Sequence, residues 1–378
     1  MIEKREFGFA SFDGWMLRHR SFKTTNELTT FLQNSTPRDA YFSCAYYADP
    51  EAEMEKKGWL GADLVFDIDA DHIPTPCGKI HDEWNCGNCG FSGKGITPQM
   101  CPKCGGEKFD TSTWPCEVCL DSAKTETLKL IDFLMYDFGF SEKEIQVFFS
   151  GHRGYHVHVE SEAIRSLDSM ARKEIVDYIT GLGLDIAYFG LTDGKVLHGP
   201  NIRESGWKGR IAKGVYDFIL NAKEEDFKQV GLQANAELLV RNKNKLLKSL
   251  EGVGTWSTVK GVAFGTWKRL VDHCINTISA KIDTVVTTDI HRLIRLTDTL
   301  HGKTGLKKVE FALSELSTFD PFKNAIAFKG GAAKVFVSHI PKFRLGDEVF
   351  GPYRSQEVEL PTAAALLLVC KGRAKVIE

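Results

Sequence analysis

The sequence has 378 residues, of which 43% are hydrophobic and 26% are charged, a composition typical of an ordered chain with a substantial core. Its 48 basic and 50 acidic residues give a net charge of −2, which excludes a uniformly basic nucleic-acid-binding surface and leaves only local patches. The longest apolar run, residues 363–370, is far shorter than the roughly 20 residues of a membrane span. Because no apolar leader follows the charged start, we expect a cytoplasmic protein without membrane contact.

The first 76 residues are predicted to contain a helix over Thr25–Gln33 and a strand over Asp63–Asp69. Side chains alternate between the two faces of a strand, so Asp67 and Asp69 point to the same face. Two carboxylates this close repel each other unless a divalent cation lies between them. The pattern therefore predicts a Mg²⁺-type site of the kind that phosphoryl transfer uses.

Two other interpretations of Asp67 and Asp69 remain open. Asp-x-Asp at the end of a strand is often only a solvated turn, although the apolar residues 64–66 favour a buried strand that delivers both carboxylates to a sheet edge. A phosphatase of the haloacid dehalogenase type has the same local pattern. That family has Thr or Val two positions after its second aspartate, where this sequence has Asp71, and it has no use for the cysteines that follow.

Residues 77–119 are rich in cysteine, glycine and proline, and seven of the ten cysteines lie here. Clustered cysteine pairs in an intracellular chain indicate metal ligands rather than disulfides. Cys86-x-x-Cys89 and Cys101-x-x-Cys104, separated by eleven residues, have the spacing of a zinc ribbon, in which four thiolates bind one Zn²⁺. Four protein ligands leave no open position on the ion, so we expect a structural role.

The rest of the chain mixes helical and strand patterns. An apolar stripe of Leu128, Ile131, Met135 and Phe138, with Gly139 as its stop, indicates an amphipathic helix. The predicted elements are helices over Ser122–Phe138, Glu162–Leu182, Ala236–Leu250 and Thr266–Ile282, and strands over Ile145–Phe149, Tyr155–Val159, Asp283–Thr288 and Lys334–Ile340. Helices and strands mixed around a strand with two carboxylates predict the α+β class, with a polar helical insertion.

The turn between the strands Ile145–Phe149 and Tyr155–Val159 carries several polar groups. Ser150 offers a hydroxyl, and Arg153 can bind phosphate oxygens through two hydrogen bonds, while the flanking glycines let the backbone approach a ligand closely. On the second strand His156 and His158 share a face. The alternative is an ordinary hairpin with half-exposed histidines.

A third polar segment spans residues 287–305. Asp289 follows a predicted strand and could complete a carboxylate triad. Arg292 and Arg295, three positions apart, would share a helix face or flank an irregular turn, and the loop that begins at His301 offers further phosphate-binding groups. An ion-paired surface helix followed by a glycine loop would give the same pattern.

Taken together, these segments resemble the small, catalytic subunit of archaeal and eukaryotic DNA primases. Each motif is weak by itself, but the set in this order is specific and extends through nearly the whole catalytic region. The segments that carry the resemblance are Arg5–Phe9, Arg18–Phe22, Trp59–His72, Ser150–His158 and Thr287–His301.

The resemblance implies a primase-type core, with a mixed sheet and flanking helices, that makes short primers on single-stranded DNA by two-metal-ion nucleotidyl transfer. It also implies a heterodimer with a large subunit. Asp67, Asp69 and Asp289 would bind Mg²⁺ or Mn²⁺. The triphosphate of the incoming nucleotide would be bound by Ser150, Arg153, His156, Arg295 and His301.

Two positions depart from the family pattern. His152 stands where the family often has a second basic residue, commonly arginine, so a fixed positive charge is missing there. The family's Leu-Pro-Gly-Ser-Leu-His is here Leu296–His301, in which Asp298 places an unexpected carboxylate near a phosphate site.

The cysteines outside the ribbon resemble the family's own zinc knuckle, formed by a Cys/His pair and a Cys-x-x-Cys ahead of a helix. By this resemblance one Zn²⁺ is bound by Cys77, His81, Cys116 and Cys119, and a second by the inserted ribbon of Cys86, Cys89, Cys101 and Cys104. This nested pairing is the economical one, and a cross-braced pairing remains open.

The predicted organisation has five segments. Residues 1–76, 120–200 and 283–378 form the catalytic core, residues 77–119 the zinc module and residues 201–282 a mainly helical insertion. Three rival functions are a gap-filling polymerase, which generally lacks the zinc knuckle, a non-catalytic zinc scaffold, which would not need the carboxylates, and a metal-dependent nucleotide phosphatase.

Overall fold

The structure is a computed structural model that describes residues 2–191, 196–252, 255–256 and 258–377. The strands are β1 (Phe7–Ala10), β2 (Met16–Arg20), β3 (Asp39–Ser43), β4 (Ala45–Tyr47), β5 (Trp59–Ala62), β6 (Leu64–Asp69), β7 (Glu83–Cys86), β8 (Ser92–Lys94), β9 (Phe109–Ser112), β10 (Ile145–Phe149), β11 (Gly154–Val159), β12 (Leu293–Arg295), β13 (Val309–Phe311), β14 (Ala332–Ile340), β15 (Phe343–Leu345), β16 (Glu348–Phe350), β17 (Tyr353–Pro361) and β18 (Ala374–Val376). The α-helices are α1 (Thr25–Ser35), α2 (Glu117–Tyr136), α3 (Glu162–Arg165), α4 (Ser169–Thr180), α5 (Gly206–Asn221), α6 (Glu224–Gln229), α7 (Ala236–Arg241), α8 (Lys243–Glu251), α9 (Phe264–Ile278), α10 (Thr284–Thr288), α11 (Pro321–Asn324) and α12 (Thr362–Cys370). Short 3₁₀ helices span Ile2–Lys4, Met54–Lys56, Ala70–His72, Glu142–Glu144, Ile186–Phe189, Gln233–Asn235 and Leu313–Glu315.

The chain divides into two compact units. The first comprises Met1–Leu128, Ser141–Lys173 and Lys281–Glu378, and the second comprises Lys129–Phe140 and Glu174–Ala280. Every strand of the described residues lies in the first unit, so the chain is of the α+β type. The five-segment organisation remains a prediction. No helix among the described residues is long and apolar enough to cross a membrane.

The second unit is helical in its described part. Its core is built around two tryptophans, Trp256 and Trp267, which are fully buried with their ring centroids 4.8 Å apart. Helix α5 packs against α8 and α9 through a buried stripe that includes Ile211 and Val215. An ion pair between Arg210 and Asp137, 2.8 Å long, lies at the edge of this unit's core.

The carboxylate strand lies at the edge of a 4-stranded antiparallel sheet with the order β13-β10-β11-β6. Phe66 and Ile68 of β6 are fully buried, as is Val157 of β11. The hairpin formed by β10 and β11 has the predicted bounds to within one residue. Because every β6 side chain with even number faces this core, the odd-numbered Asp67 and Asp69 are directed to the opposite face.

Gly154 determines how closely β11 approaches the carboxylate strand. It lies opposite Asp69, and a Cβ atom at this position would stand 2.1 Å from the carbonyl oxygen of Ile68. That distance is far below van der Waals contact with a backbone atom, which cannot move without shifting the strand. Any side chain at position 154 would therefore displace the Asp-x-Asp backbone.

A second 4-stranded sheet, with the order β12-β3-β1-β2, supplies the rest of the site's framework. Its apolar side packs Phe7, Phe9 and Ala40 against Phe22 and Leu28. Strand β12 pairs with β3 so that Arg295 lies opposite Tyr41. The predicted alternatives for Arg292 and Arg295, a shared helix face or an irregular turn, are both wrong for Arg295, which lies on a strand.

The predicted strand over Asp283–Thr288 is wrong, because these residues form the short helix α10. β-branched Val285 and Val286 favour a strand locally. Asp283 overrides that preference as the N-cap, since its side chain accepts a hydrogen bond of 3.0 Å from the Val285 N–H. Helix α10 then packs on β6 with Val286 buried.

Two long predicted helices are each divided. The helix over Glu162–Leu182 is interrupted between α3 and α4, where the Asp168 side chain accepts from the Ala171 N–H at 2.9 Å and starts a new helix. The helix over Ala236–Leu250 is interrupted at Asn242, whose side-chain amide donates to the Leu238 carbonyl at 2.9 Å. Asp and Asn side chains compete in this way for backbone hydrogen bonds and can interrupt a helix. The spacing of apolar residues carries no information about these bonds, so it predicted uninterrupted helices.

Helix α2 exists as predicted but begins earlier, at Glu117, and buries Ile131 of the predicted stripe together with residues outside it. Leu128, predicted on the apolar stripe, is 46% exposed, whereas Leu130 and Phe133 are fully buried. Gly139 lies just beyond the helix in the left-handed region, with φ of 76°, as its predicted role as a stop requires. A helix that is buried on more than one side cannot be oriented by a single stripe.

Candidate active site

Strand β6 brings Asp67 and Asp69 to one face of the sheet, as the alternation predicts. Asp67 lies opposite His156 in β11. Burial, together with the charges of Asp69 and Asp283, raises the pKa of Asp67 to about 7. Burial also raises the pKa of Asp69. Carboxylates whose mutual repulsion opposes ionisation are stabilised when a divalent cation lies among them, so this set fits a metal such as Mg²⁺ or Mn²⁺.

Asp283, which the sequence interpretation missed, is the further carboxylate that acts most strongly on Asp67. Its backbone N–H donates to the Asp67 carbonyl oxygen at 2.8 Å. Asp289 lies at the other end of α10, where its carboxylate accepts from the His291 N–H at 2.9 Å. The role of Asp289 as a metal ligand therefore remains a prediction. Its carboxylate bonds to His291 and not to Asp67 or Asp69. An aspartate that starts a short helix was the signal that could have identified Asp283.

His156 faces the carboxylates from the neighbouring strand. Its Nε2 lies 3.6 Å from an oxygen of Asp67. Burial, and then the charges of Lys308, Arg295 and Arg292, hold its pKa well below the usual range, so the ring is neutral. Its Nδ1 is buried without a hydrogen-bond partner among the described residues. A buried polar atom in this state is costly unless a ligand or water satisfies it.

The hairpin turn and the loop after His301 pack directly on each other. The Thr304 hydroxyl donates to the Gly151 carbonyl, and the His152 and His301 rings stack with centroids 5.1 Å apart. Gly151 has φ of 88°, and a Cβ there would lie 2.9 Å from the Cβ of His301. The Ser150 hydroxyl accepts from the His152 N–H at 3.3 Å. The structure thus brings Ser150 and His301, predicted from distant segments, into contact with the same residue, His152.

Arg153 is held by carboxylates rather than left open to a ligand. Its side chain is fully buried, and one nitrogen donates to both oxygens of Asp82 at 2.9 and 2.8 Å. The other nitrogen pairs with Asp71. The prediction treated Arg153 as a free phosphate ligand and did not foresee either partner.

Arg295 is also partly neutralised. It donates to Asp39 at 2.6 Å, and the same Asp39 oxygen accepts from the Gly302 N–H at 2.9 Å. Its guanidinium carbon lies 5.2 Å from the centroid of the Tyr41 ring, which it faces. Asp39 thereby fixes Arg295 next to the loop of His301, whose pKa is held well below its usual range by burial and by the charges of Arg295, Lys303 and Lys371.

Lys308 is a buried cation that the sequence interpretation missed. Its amine donates to the Arg295 carbonyl at 3.0 Å and lies 4.4 Å from the centroid of the Phe148 ring. Burial, with the charge of Arg295, lowers its pKa to about 7. A lysine at this position is costly near neutral pH, and its neighbour Asp67 is what favours its charged form.

We expect Lys308→Met to stabilise the protein at pH 7, by about 2 kcal/mol, because it removes a buried cation. The unfolded lysine titrates near 10.4, above the folded value, so the unfolded state binds more protons between these limits and wild-type stability rises with pH. The advantage of Lys308→Met should therefore shrink by pH 9.5, as urea unfolding at both pH values would measure. Lys307→Met is the neighbouring control, and an equal gain at both pH values would contradict the prediction.

Asp298, the unexpected carboxylate, points away from the pocket. It is 75% exposed and pairs with Lys307 at 3.1 Å. Its φ is 60°, in the left-handed region that favours glycine and that aspartate tolerates better than most residues. The position where the resembling family has glycine therefore keeps its backbone conformation, and the carboxylate adds no charge to the phosphate pocket.

The cysteine-rich segment forms two separate groups of possible metal ligands. Cys77, His81, Cys116 and Cys119 form one, and Cys86, Cys89, Cys101 and Cys104 form the other, with the ligand atoms of each group within 4.8 Å of one another. In the first, His81 Nε2 lies 3.5 Å from the sulfurs of Cys77 and Cys119. This geometry corresponds to the nested pairing and not to the cross-braced one. Three thiolates with an imidazole, and four thiolates, are donor sets that fit Zn²⁺.

Asp82 connects the first of these groups with the hairpin turn. One of its oxygens lies 2.7 Å from His81 Nδ1 and also accepts from the Trp114 N–H at 3.0 Å. Both of its oxygens accept from Arg153. A carboxylate bonded to the second nitrogen of a ligating histidine fixes the orientation of that ring. Asp82 therefore holds His81 and Arg153 in one arrangement.

Comparison with known proteins identifies the family of this chain. The family model described as DNA primase small subunit matches residues 110–313. The protein of Methanothrix thermoacetophila described as DNA primase small subunit PriS is 33% identical over 402 residues, covering 99% of this chain and 93% of that protein. The chain belongs to the DNA primase small subunit family.

Relatives in other archaeal lineages show the same extent of similarity. The DNA primase small subunits PriS of Nitrosopumilus maritimus and Thermoplasma volcanium are each 33% identical to this chain, covering 99% of it and 91% of the relatives. Membership of the primase family confirms the resemblance proposed from the ordered motifs. The protein is thus the catalytic subunit of a DNA primase, a nucleotidyltransferase of DNA replication.

Proposed function

We propose that this primase subunit joins nucleotides at Asp67 and Asp69, with the primase-type core formed by the two 4-stranded sheets. The template would be single-stranded DNA and the substrates nucleoside triphosphates. The observation that carries the proposal is the pair of carboxylates on one strand face, beside buried cations and neutral histidines. Burial opposes the ionisation of both carboxylates, and the charge of Asp69 also opposes that of Asp67.

Asp67 and Asp69 would hold two Mg²⁺ or Mn²⁺ ions together with a third carboxylate. Asp283 is favoured for that place over the predicted Asp289, because Asp283 contacts Asp67 through its backbone and acts on its charge. Bound there, such ions supply activation of the attacking 3′-hydroxyl and neutralisation of the leaving pyrophosphate. The protein's own part is to hold three carboxylates close together before the substrate arrives.

The incoming triphosphate would bind along the hairpin turn and the His301 loop. Ser150, His156 and His301 would present neutral donors, and Arg295 a fixed charge held by Asp39. Arg153 would reach a phosphate by exchanging its Asp71 pair while Asp82 keeps its place. Groups already positioned by packing lose little entropy when they bind the substrate, which favours the transition state.

The two groups in the cysteine-rich segment would each bind a structural Zn²⁺, since neither leaves an open position. The relatives are described as small subunits, which favours a large subunit as the partner. Because the net charge of this chain is −2, that partner would supply part of the contact with the template. We place the assembled enzyme in the cytoplasm, where a replication enzyme meets its template.

The test is primer synthesis without a primer. Purified chain, single-stranded DNA, labelled nucleoside triphosphates and Mg²⁺ or Mn²⁺ are incubated, and the products are separated by length. We expect short oligonucleotides that require both template and metal. Extension of an annealed primer without starting new chains would favour the gap-filling function, and release of phosphate without template would favour a phosphatase. No product, even with a large subunit added, would contradict the proposal.

A further inference from the structure

The turn between β1 and β2 carries three large apolar side chains that are exposed to solvent. Phe12 is 76% exposed, Trp15 58% and Met16 44%. A hydrogen bond of 2.9 Å from the Ser11 N–H to the Trp15 carbonyl oxygen closes the turn, and Gly14 has a φ of 89°. Isolated apolar side chains are common on protein surfaces, whereas three within five consecutive positions form a patch of the kind that marks interaction sites. The turn lies between the first two segments of the primase resemblance and belongs to neither.

Hydrogen bonds place this turn at the same end of its sheet as the proposed nucleotide pocket. Ala10, the last residue of β1, lies opposite Asp39 in β3, and its carbonyl oxygen accepts from the Arg38 N–H at 2.9 Å. Asp39 in turn accepts from Arg295 at 2.6 Å and from the Gly302 N–H at 2.9 Å. One cross-strand pair, Ala10 with Asp39, therefore separates the start of the turn from two groups of the pocket.

Two guanidinium groups share the Asp39 carboxylate, which leaves a net positive charge beside the turn. Arg38 donates to one oxygen at 2.9 Å, and Arg295 donates to the other at 2.6 Å. Lys303, in the adjacent loop, is exposed. These cations would favour a phosphate backbone that passes the turn. Asp13, exposed in the turn itself, would repel phosphate, so the turn suits an uncharged part of the same ligand.

An unpaired nucleic-acid strand has both of the parts that this surface requires. Its bases present flat faces that stack on aromatic rings whatever the sequence, and its phosphates bind the cations nearby. A protein partner would need a broader apolar face, because stable protein interfaces bury about 800 Å² on each side. The three exposed side chains of the turn offer about half of that area at most. The size and the charge of this surface therefore favour a single strand over a protein.

We propose that Phe12 and Trp15 stack on unpaired bases of the single-stranded DNA template next to the nucleotide pocket. The inference rests on the proposed function, which supplies the template and the pocket, and it adds the surface that holds the strand. Bases would lie on the turn, and phosphates would lie toward Arg38 and Lys303. A strand held by stacking keeps a base near the pocket before the nucleotide enters, so less freedom is lost when the two pair.

Binding of a fluorescently labelled single strand to the full chain tests the proposal, measured by anisotropy at low salt without nucleotides or added Mg²⁺. We expect Phe12→Leu and Trp15→Leu each to weaken binding about fivefold or more, because leucine is apolar but has no flat ring. Trp15→Phe keeps a ring and should stay within about twofold of the wild type. Tyr136→Leu is the matched control, since Tyr136 is 77% exposed at the end of α2, and it should bind the strand like the wild type.

A strand with abasic sites separates stacking from other effects on binding. The wild type should bind an abasic strand of the same length and charge about fivefold or more weakly than the normal strand. The double variant Phe12→Leu/Trp15→Leu should bind the two strands about equally, because its loss of affinity depends on the bases. An equal loss of affinity on both strands would overturn the proposal, since stacking requires a base.

Further measurements separate this inference from the proposed function. In primer synthesis Trp15→Leu should raise KM for the template about fivefold and leave kcat within about threefold, whereas damage to the reacting carboxylates would lower kcat. Unchanged DNA binding by the double variant, with weaker retention of a large subunit, would identify a protein interface and overturn the inference. A wild type that binds bases through these rings but makes no primers would uphold it and contradict the proposed function. Thermal unfolding of each variant checks that the fold is retained.

Discussion

Replacing Asp67 or Asp69 with asparagine is expected to lower primer synthesis by at least about a thousandfold, because each change removes a metal ligand at the reacting phosphate. Asparagine keeps the size of the side chain, and both positions are at the edge of a sheet whose core lies on the other face. Stability should therefore be equal to or higher than that of the wild type, since repulsion between the two carboxylates is relieved. Primer assays and thermal unfolding measure the two quantities separately.

The third carboxylate is identified by comparing Asp283→Asn with Asp289→Asn. We expect the first to lose activity as severely as the Asp67 variant, because Asp283 acts directly on the charge of Asp67. Asp289→Asn should keep its activity within about tenfold of the wild type, because the Asp289 carboxylate accepts a hydrogen bond from the His291 N–H at the far end of α10. Asparagine also caps helices, so α10 survives the change at position 283. The reverse result would restore Asp289 to the site.

Exposed Asp298 provides the control for this series. Asp298→Asn removes a carboxylate close in sequence to His301, but the side chain is 75% exposed and pairs only weakly at the surface with Lys307. Full activity is expected. If Asp67→Asn and Asp298→Asn were equally active, phosphoryl transfer would have to occur elsewhere.

Loss of the Zn²⁺ proposed for the Cys77, His81, Cys116 and Cys119 group should affect catalysis far more than loss of the Zn²⁺ proposed for the ribbon. We expect Cys116→Ser to lower primer synthesis by about a hundredfold, because His81 then loses its ion and no longer orients Asp82, which holds Arg153 in the hairpin turn. Cys104→Ser removes a ligand of the ribbon, whose members have no such connection to Arg153, and should cost less than about tenfold.

Protection from proteolysis, combined with metal content, distinguishes the two ways of pairing the ligands. In the nested arrangement each single variant retains one zinc and loses the other, as mass spectrometry of the intact protein under native conditions would show. Limited proteolysis should then cut near residue 104 in Cys104→Ser and leave the segment around His81 protected. Protection lost around His81 in Cys104→Ser would indicate the cross-braced pairing. Cys274→Ser, a buried cysteine of the helical unit outside both groups, is the control and should keep both ions.

The sequence alone was sufficient wherever the chemistry depends on local spacing. The alternation of a strand placed Asp67 and Asp69 on one face, and the cysteine pairs indicated a ribbon, because both follow from the geometry of a few consecutive residues. The hairpin of β10 and β11 was predicted nearly to the residue for the same reason. The ordered set of motifs was likewise enough to indicate the primase family.

The tertiary structure decided which distant side chains meet. Asp283 and not Asp289 reaches Asp67, because an N-cap turned a predicted strand into the helix α10 and packed it on β6. Arg153 is engaged by Asp82, and the Lys371 amine, from near the end of the chain, lies 3.1 Å from His152 Nε2. Local propensity carries no information about such contacts, since burial and electrostatic pairing depend on the packing of segments far apart in sequence. The two carboxylates of the proposed site could therefore be found from the sequence, whereas the contact of Asp283 with Asp67 and the partners of the neighbouring cations required the fold.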